Sequence, residues 1–143
     1  LIHGFGALDV EAAAWFTSNI VSALMYLHQH GISHNDLKTA NCFLQRFNSS
    51  EVANPLCQHE PRRYREVVVK LGDFGSASWK RGSFKQEKLV GTPAYMAPEV
   101  LIQNASRRRI DVWALGICAL EMLTGQRRLS DEFDHPDSTT QTD

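Results

Sequence analysis

Residues 34–41 read His-Asn-Asp-Leu-Lys-Thr-Ala-Asn. Residues 32–36, which overlap the start of this stretch, are too few for a helix and predict a short strand that enters a loop. In that loop, the carboxylate of Asp36 can accept a proton or orient a hydroxyl nucleophile, and the ammonium of Lys38 can neutralise a phosphate oxygen. The carboxamide oxygen of Asn41 can bind Mg²⁺, a hard cation that takes oxygen ligands. Taken alone, this spacing is also compatible with an ordinary capped loop.

The segment before this loop has the period of a helix. Asp9 is a suitable N-cap, and Gly31 is a suitable stop at the other end. The pattern therefore predicts a helix over about 10–30. The apolar residues that recur every three or four positions are Phe16, Ile20, Leu24 and Leu27.

The chain after the loop alternates between short apolar runs and irregular segments. Short strands are predicted over 42–44 and 67–71, the second because it is β-branched. Between them, 45–66 is polar and predicts a surface insertion, which is either a docking element that uses its arginines or simply a solvated loop. The glycine-rich and proline-rich stretch 72–98 predicts a long ordered loop. Residues 110–124 predict a helix that is apolar almost all round and therefore buried.

Three further motifs follow in order. Asp73-Phe74-Gly75 comes directly after the second strand, where an aspartate can reach a metal and the glycine permits unusual backbone angles. Residues 91–99 read Gly-Thr-Pro-Ala-Tyr-Met-Ala-Pro-Glu, and Asp111-x-Trp113 opens the apolar helix. The first and the last of these motifs also have a plain interpretation: a turn after a strand for the first, a cap and a core anchor for the last.

Together and in this order, the motifs resemble the protein kinase family, whose pattern is H-R-D-L-x-x-x-N, then D-F-G, then A-P-E. Residues 34–41, 73–75 and 97–99 match it. The resemblance implies an α+β fold that is the mostly helical large-lobe portion of a kinase, with the small lobe absent. It places a partial kinase domain at 1–129, followed by a polar, disordered tail at 130–143.

The resemblance also implies chemical roles. Asp36 would be the catalytic base, and Asn41 and Asp73 would hold the Mg²⁺ ions that bridge the ATP phosphates. Lys38 would stabilise the charge of the transferred γ-phosphoryl group, so it is both catalytic and ATP-binding. ATP and Mg²⁺ are the implied cofactors.

Other motif residues are implied to support the site. Thr92 would brace the catalytic loop and shape the acceptor pocket, and Asp111 would tie the apolar helix to the backbone of that loop. Glu99 would pair with an arginine from later in a complete domain. The remaining supporting positions are His34, Phe74 and Gly75.

The position of Lys38 two residues after Asp36, together with Thr92 in a Gly-Thr-Pro context, resembles serine/threonine kinases. The implied function of the complete protein is transfer of the γ-phosphoryl group of ATP to Ser/Thr hydroxyls of protein substrates. Two alternatives remain: a pseudokinase or scaffold that binds partners without catalysis, and a small-molecule phosphotransferase. The segment 91–99 argues against the second, because it resembles the peptide-acceptor region of protein kinases.

Two departures from the family pattern matter. Asn35 stands where the family usually has an arginine that pairs with a phosphate on the activation loop. We therefore expect no need for loop phosphorylation through that route; the alternative is that the substitution has no functional effect. In addition, the chain has no glycine-rich loop and no V-A-I-K lysine, so the isolated polypeptide is expected to be inactive and to expose apolar surface.

Composition argues against several classes of function. The formal net charge of -1 over 143 residues gives no electrostatic case for nucleic acid or an anionic membrane. No apolar stretch reaches the roughly 18 residues of a membrane span. The cysteines Cys42, Cys57 and Cys118 form neither a zinc pattern nor a disulfide framework, which favours a reducing compartment. We expect a cytoplasmic location, with a nuclear one as the alternative.

Overall fold

The described part of the chain comprises residues 6–46, 63–79, 91–101 and 107–126 of a computed structural model. It contains three helices and four short strands. The helices are α1 (Val10–Gln29), α2 (Pro98–Leu101) and α3 (Arg107–Thr124). The strands are β1 (Ile32–Ser33), β2 (Cys42–Arg46), β3 (Val67–Leu71) and β4 (Ser78–Trp79). The predicted α+β composition is confirmed.

Helix α1 begins and ends where its capping residues predict. The Asp9 carboxylate accepts a hydrogen bond from the Ala12 amide at 2.8 Å, and Gly31 follows the helix with φ 75°. A left-handed backbone is easiest for glycine, so the chain turns there into β1. The buried residues of the helix are Ala12, Ala13, Phe16, Ile20 and Leu24.

Strands β2 and β3 form an antiparallel hairpin that packs against α1. Its register runs from Cys42 opposite Leu71 to Arg46 opposite Val67. The indole of Trp15 donates to the carbonyl of Val67 at 3.0 Å, which fixes α1 to the hairpin.

The predicted insertion over 45–66 is shorter at both ends than expected. Gln45 and Arg46 belong to β2, and Arg63–Glu66 forms a 3-10 turn whose Tyr64 donates to Glu11 at 3.2 Å. The strand pairing and this anchor absorb residues that the polar composition had assigned to a loop. Residues 47–62 lie outside the described residues.

The stretch predicted as a long loop over 72–98 contains an element that the sequence did not indicate. β4 pairs antiparallel with β1, placing Ile32 opposite Trp79 and Ser33 opposite Ser78. This small sheet sets the chain that follows Asp73 beside the loop 34–41. Residues 80–90 lie outside the described residues.

Helix α3 begins at Arg107, three residues before the predicted start. Its buried apolar residues, Ile110, Ala114, Cys118 and Met122, recur every fourth position and pack one face into the core. The prediction of burial all round is wrong, because the other face is exposed. Trp113 is 44% exposed and is not a core anchor. The exposed large apolar residues of the helix are Val112, Trp113, Leu120 and Leu123.

No described helix is both long enough and apolar enough to cross a membrane.

Candidate active site

One buried carboxylate holds the loop 34–41 to helix α3. Asp111 is fully buried and accepts hydrogen bonds from the backbone amides of His34 at 3.0 Å and Asn35 at 2.8 Å. His28 Nε2 lies 2.7 Å from the same carboxylate. Because Asp111 lies inside α3 rather than before it, the plain interpretation of a helix cap is wrong. Its carboxylate joins α3 to the loop backbone.

A closed triangle of polar contacts joins Asp36, Lys38 and Thr92. Asp36 Oδ1 accepts from the Thr92 amide at 2.8 Å and from the Thr92 hydroxyl at 2.7 Å. Lys38 Nζ lies 3.1 Å from Asp36 Oδ2 and donates to Thr92 Oγ1 at 2.9 Å. The side chain of Asp36 is 12% exposed and that of Lys38 25%. The carboxylate and the ammonium are therefore held in fixed positions yet remain reachable from solvent.

Asn41 and Asp73 lie at the same end of the β2–β3 hairpin. The amide of Gly72 donates to the carbonyl of Asn41 at 3.0 Å, so Asp73 follows directly beside Asn41. The Asn41 side-chain nitrogen donates to the carbonyl of Asp36 at 2.9 Å. That contact assigns the amide orientation, because only the nitrogen can donate, and leaves the oxygen as the atom suited to a cation.

Asp73 itself adopts a left-handed backbone with φ 59° and is exposed. Its carboxylate accepts a long hydrogen bond, 3.4 Å, from the amide of Gly75. One carboxylate and one amide oxygen fit Mg²⁺, which keeps several waters and substrate phosphates among its ligands rather than a full protein cage. Among the described residues, no three His, Cys, Asp or Glu side chains gather into a metal cluster.

The other predicted site residues lie around this centre. His34 is fully buried, donates from Nε2 to the carbonyl of Gly72 at 3.1 Å, and lies against Phe74 with ring centroids 5.2 Å apart. Phe74 is 47% exposed, so only one side of its ring packs. Glu99 is on α2, and its side chain lies outside the described part.

A second buried network of hydrogen bonds contacts the loop 34–41, and the sequence patterns did not predict it. The Glu121 carboxylate accepts from Thr39 Oγ1 at 2.8 Å and from Tyr95 Oη at 2.7 Å; all three residues are buried. A buried carboxylate needs such partners, so Glu121 joins the loop, the segment 91–96 and α3. The available signal was a single glutamate inside the apolar run of α3. Burial is the main cause that raises the pKa of Tyr95, and Glu121 adds to it.

The two cysteines of the core lie close to this network. Burial raises the pKa of Cys42 to about 12, and it also raises the pKa of Cys118. Both thiols are free and buried. Their pKa values therefore favour the neutral thiol at physiological pH, and neither has the electropositive, exposed surroundings of a reactive cysteine.

Alkylation of the folded protein by iodoacetamide at pH 8 should test this. The rise in the pKa of Cys42 from 9.0 to about 12 lowers its thiolate fraction about a thousandfold relative to an ordinary thiol. We expect labelling of Cys42 slower than that of glutathione by at least this factor, rising with pH, and ordinary labelling in urea. Labelling of folded Cys42 at the glutathione rate would show that the thiol is not buried in this way.

Comparisons with known proteins agree with the geometry. The sequence model of the protein kinase domain matches residues 2–142. The chain is 36% identical over 120 residues to the serine/threonine-protein kinase plk-1 of Caenorhabditis elegans, covering 84% of this chain and 16% of the relative. It is 35% identical over 120 residues to Nek9 of Mus musculus, covering 83% and 10%. It is 31% identical over 125 residues to ULK1 of Homo sapiens, covering 87% and 11%. The chain thus spans less than a fifth of the length of these relatives.

Proposed function

This chain belongs to the protein kinase family, and on that premise we propose that the protein carrying it transfers the γ-phosphoryl group of ATP to serine and threonine hydroxyls of proteins. The observation that carries the proposal is the triangle of Asp36, Lys38 and Thr92. The triangle brings together a proton acceptor, a cation and a hydroxyl. Thr92 lies 54 positions after Lys38 and 56 positions after Asp36. The similarity to serine/threonine-protein kinases supports the same acceptor class.

Asp36 is placed to handle the acceptor hydroxyl. Two hydrogen bonds from Thr92 hold Oδ1, which fixes the direction in which Oδ2 faces. As the hydroxyl oxygen bonds to the γ-phosphorus and the bond from that phosphorus to ADP breaks, the hydroxyl proton passes to the Asp36 carboxylate. A base fixed in this way needs little reorganisation during the reaction.

Lys38 is placed to counter the charge of the transferred group. Its ammonium lies 3.1 Å from Asp36 Oδ2 and donates to Thr92 Oγ1 at 2.9 Å, so it can reach a phosphoryl oxygen presented to that carboxylate. Thr92 thereby orients both charges. In this proposal, the three residues act as one unit.

Asn41 and Asp73 would hold Mg²⁺. The ion, when bound, would neutralise charge on the phosphates of ATP. The bond from Asn41 to the Asp36 carbonyl couples this pair to the base, because the same loop backbone positions both.

The test is a transfer assay on the intact protein with γ-labelled ATP and a mixed protein acceptor such as casein. We expect label on the acceptor with Mg²⁺ present and none after chelation with EDTA. Binding of ATP without any transfer, under conditions in which a control kinase labels the same acceptor, would contradict the proposal and favour a pseudokinase or scaffold.

A further inference from the structure

The backbone and the side chain of Asn35 bind different segments of the chain. Its backbone adopts φ 64°, a left-handed conformation that asparagine tolerates better than most residues. The backbone amide donates to Asp111 at 2.8 Å. The side-chain nitrogen donates to the carbonyl of Ser76 at 2.7 Å and to Ser78 Oγ at 2.9 Å. Both hydrogens of the carboxamide are therefore used.

The partners of this carboxamide lie on the stretch that follows Asp73, residues 73–79. Ser76 ends the 3-10 turn Phe74–Ser76, and Ser78 begins β4. The pairing of β4 with β1 involves two residues on each strand, which is too little to be stable by itself. The two hydrogen bonds from Asn35 add a side-chain attachment at the same place.

Asn35 also lies against Gly91, the residue before Thr92. Gly91 has φ 117°, and a Cβ built on it would lie 2.7 Å from the carbonyl oxygen of Asn35. The backbone before Thr92 can approach this closely only as glycine. One residue next to Asp36 thus touches both the stretch 73–79 and the residue before Thr92.

We propose that Asn35 is a positioning residue: its neutral carboxamide attaches residues 73–79 to the loop of Asp36, so that the placement of Asp73 depends on this side chain and on no phosphate group. The inference rests on the proposed function only for its kinetic consequence. Physically, an uncharged amide with both hydrogens already donated offers a phosphate no further donor and no charge.

Two substitutions separate the side chain from the backbone turn. Asn35→Gly keeps the left-handed backbone and the bond to Asp111 but deletes the carboxamide. Asn35→Asp keeps the shape but turns the donor that faces the Ser76 carbonyl into an acceptor. Ser78→Ala is the matched partial variant, because it removes one of the two contacts and leaves Asn35 unchanged.

The first measurement is amide hydrogen exchange of residues 76–79 in the intact protein, with α1 as an internal reference for correct folding. We expect at least about tenfold faster exchange in Asn35→Gly and Asn35→Asp and a smaller increase in Ser78→Ala, as loss of two bonds or one implies. Exchange in α1 should not change. Unchanged exchange of 76–79 in Asn35→Gly would overturn the proposal.

The second measurement is steady-state kinetics before and after treatment with a phosphatase. We expect Asn35→Gly to lower kcat/KM for MgATP about tenfold or more, and we expect wild-type activity to survive dephosphorylation. Loss of wild-type activity on dephosphorylation would overturn the independence from phosphate. If the wild type transfers no phosphate at all, the proposed function fails, while the exchange measurement still decides the role of Asn35.

Discussion

Replacing Asp36 by asparagine is expected to lower kcat about a thousandfold, within the range typical for loss of a positioned general base. Asparagine has nearly the same shape, and its oxygen can still accept the two hydrogen bonds that Thr92 gives to Asp36. It cannot take a proton, however, and its nitrogen would face Lys38, which now lies 3.1 Å from a carboxylate oxygen. The affinity for MgATP should change only a few-fold.

The matched control is Glu66→Gln, another exchange of carboxylate for amide. The side chain of Glu66 is 42% exposed and pairs with Arg46 at 3.7 Å, at the far end of the hairpin from the triangle. We expect its kcat to equal that of the wild type. If Asp36→Asn also kept kcat within about threefold of the wild type, the role of the base would be refuted.

Replacing Asp111 by alanine is expected to lower the free energy of unfolding by about 3–5 kcal/mol, as when one member of a buried charged network is removed. The carboxylate is fully buried. Its loss leaves the amides of His34 and Asn35 without their acceptor, and the bond to His34 is buried. Because a domain is stable by only about 5–15 kcal/mol, such a loss populates the unfolded state strongly.

Urea denaturation of the intact protein measures this, with Val112→Ala as the control on the neighbouring position. Val112 is 59% exposed, so its truncation should cost about 0.5 kcal/mol or less. Equal denaturation midpoints for Asp111→Ala and the wild type would contradict the assigned role. Amide exchange at His34 and Asn35 should rise in Asp111→Ala before any other buried amide responds.

The local features of the fold were predictable because they depend on neighbouring residues. The cap at Asp9, the stop at Gly31 and the strand over Val67–Leu71 each follow from side chains a few positions apart. The early start of α3 was missed because its first turn is arginine-rich and carries no apolar period. The short strand β4 was missed because two residues have no detectable alternation.

Motifs alone suggested the candidate site residues, but not the contacts between them. Asp36, Lys38, Asn41, Asp73 and Thr92 were identified from motifs. The contacts of Thr92 with Lys38 and Asp36, however, join residues 54 and 56 positions apart. Glu121 was missed for the same reason, since its partners Thr39 and Tyr95 come from two other segments. The roles of the site residues, the domain limits and the cytoplasmic location stay predictions.

The most direct measurement of the central claim is the identity of the phosphorylated side chain. The intact protein, γ-labelled ATP and Mg²⁺ are incubated with matched peptide libraries that differ only in a serine, threonine or tyrosine acceptor. We expect label on serine and threonine peptides, recovered as phosphoserine and phosphothreonine, and none with Asp36→Asn. Label confined to tyrosine peptides, or equal label with Asp36→Asn, would contradict it.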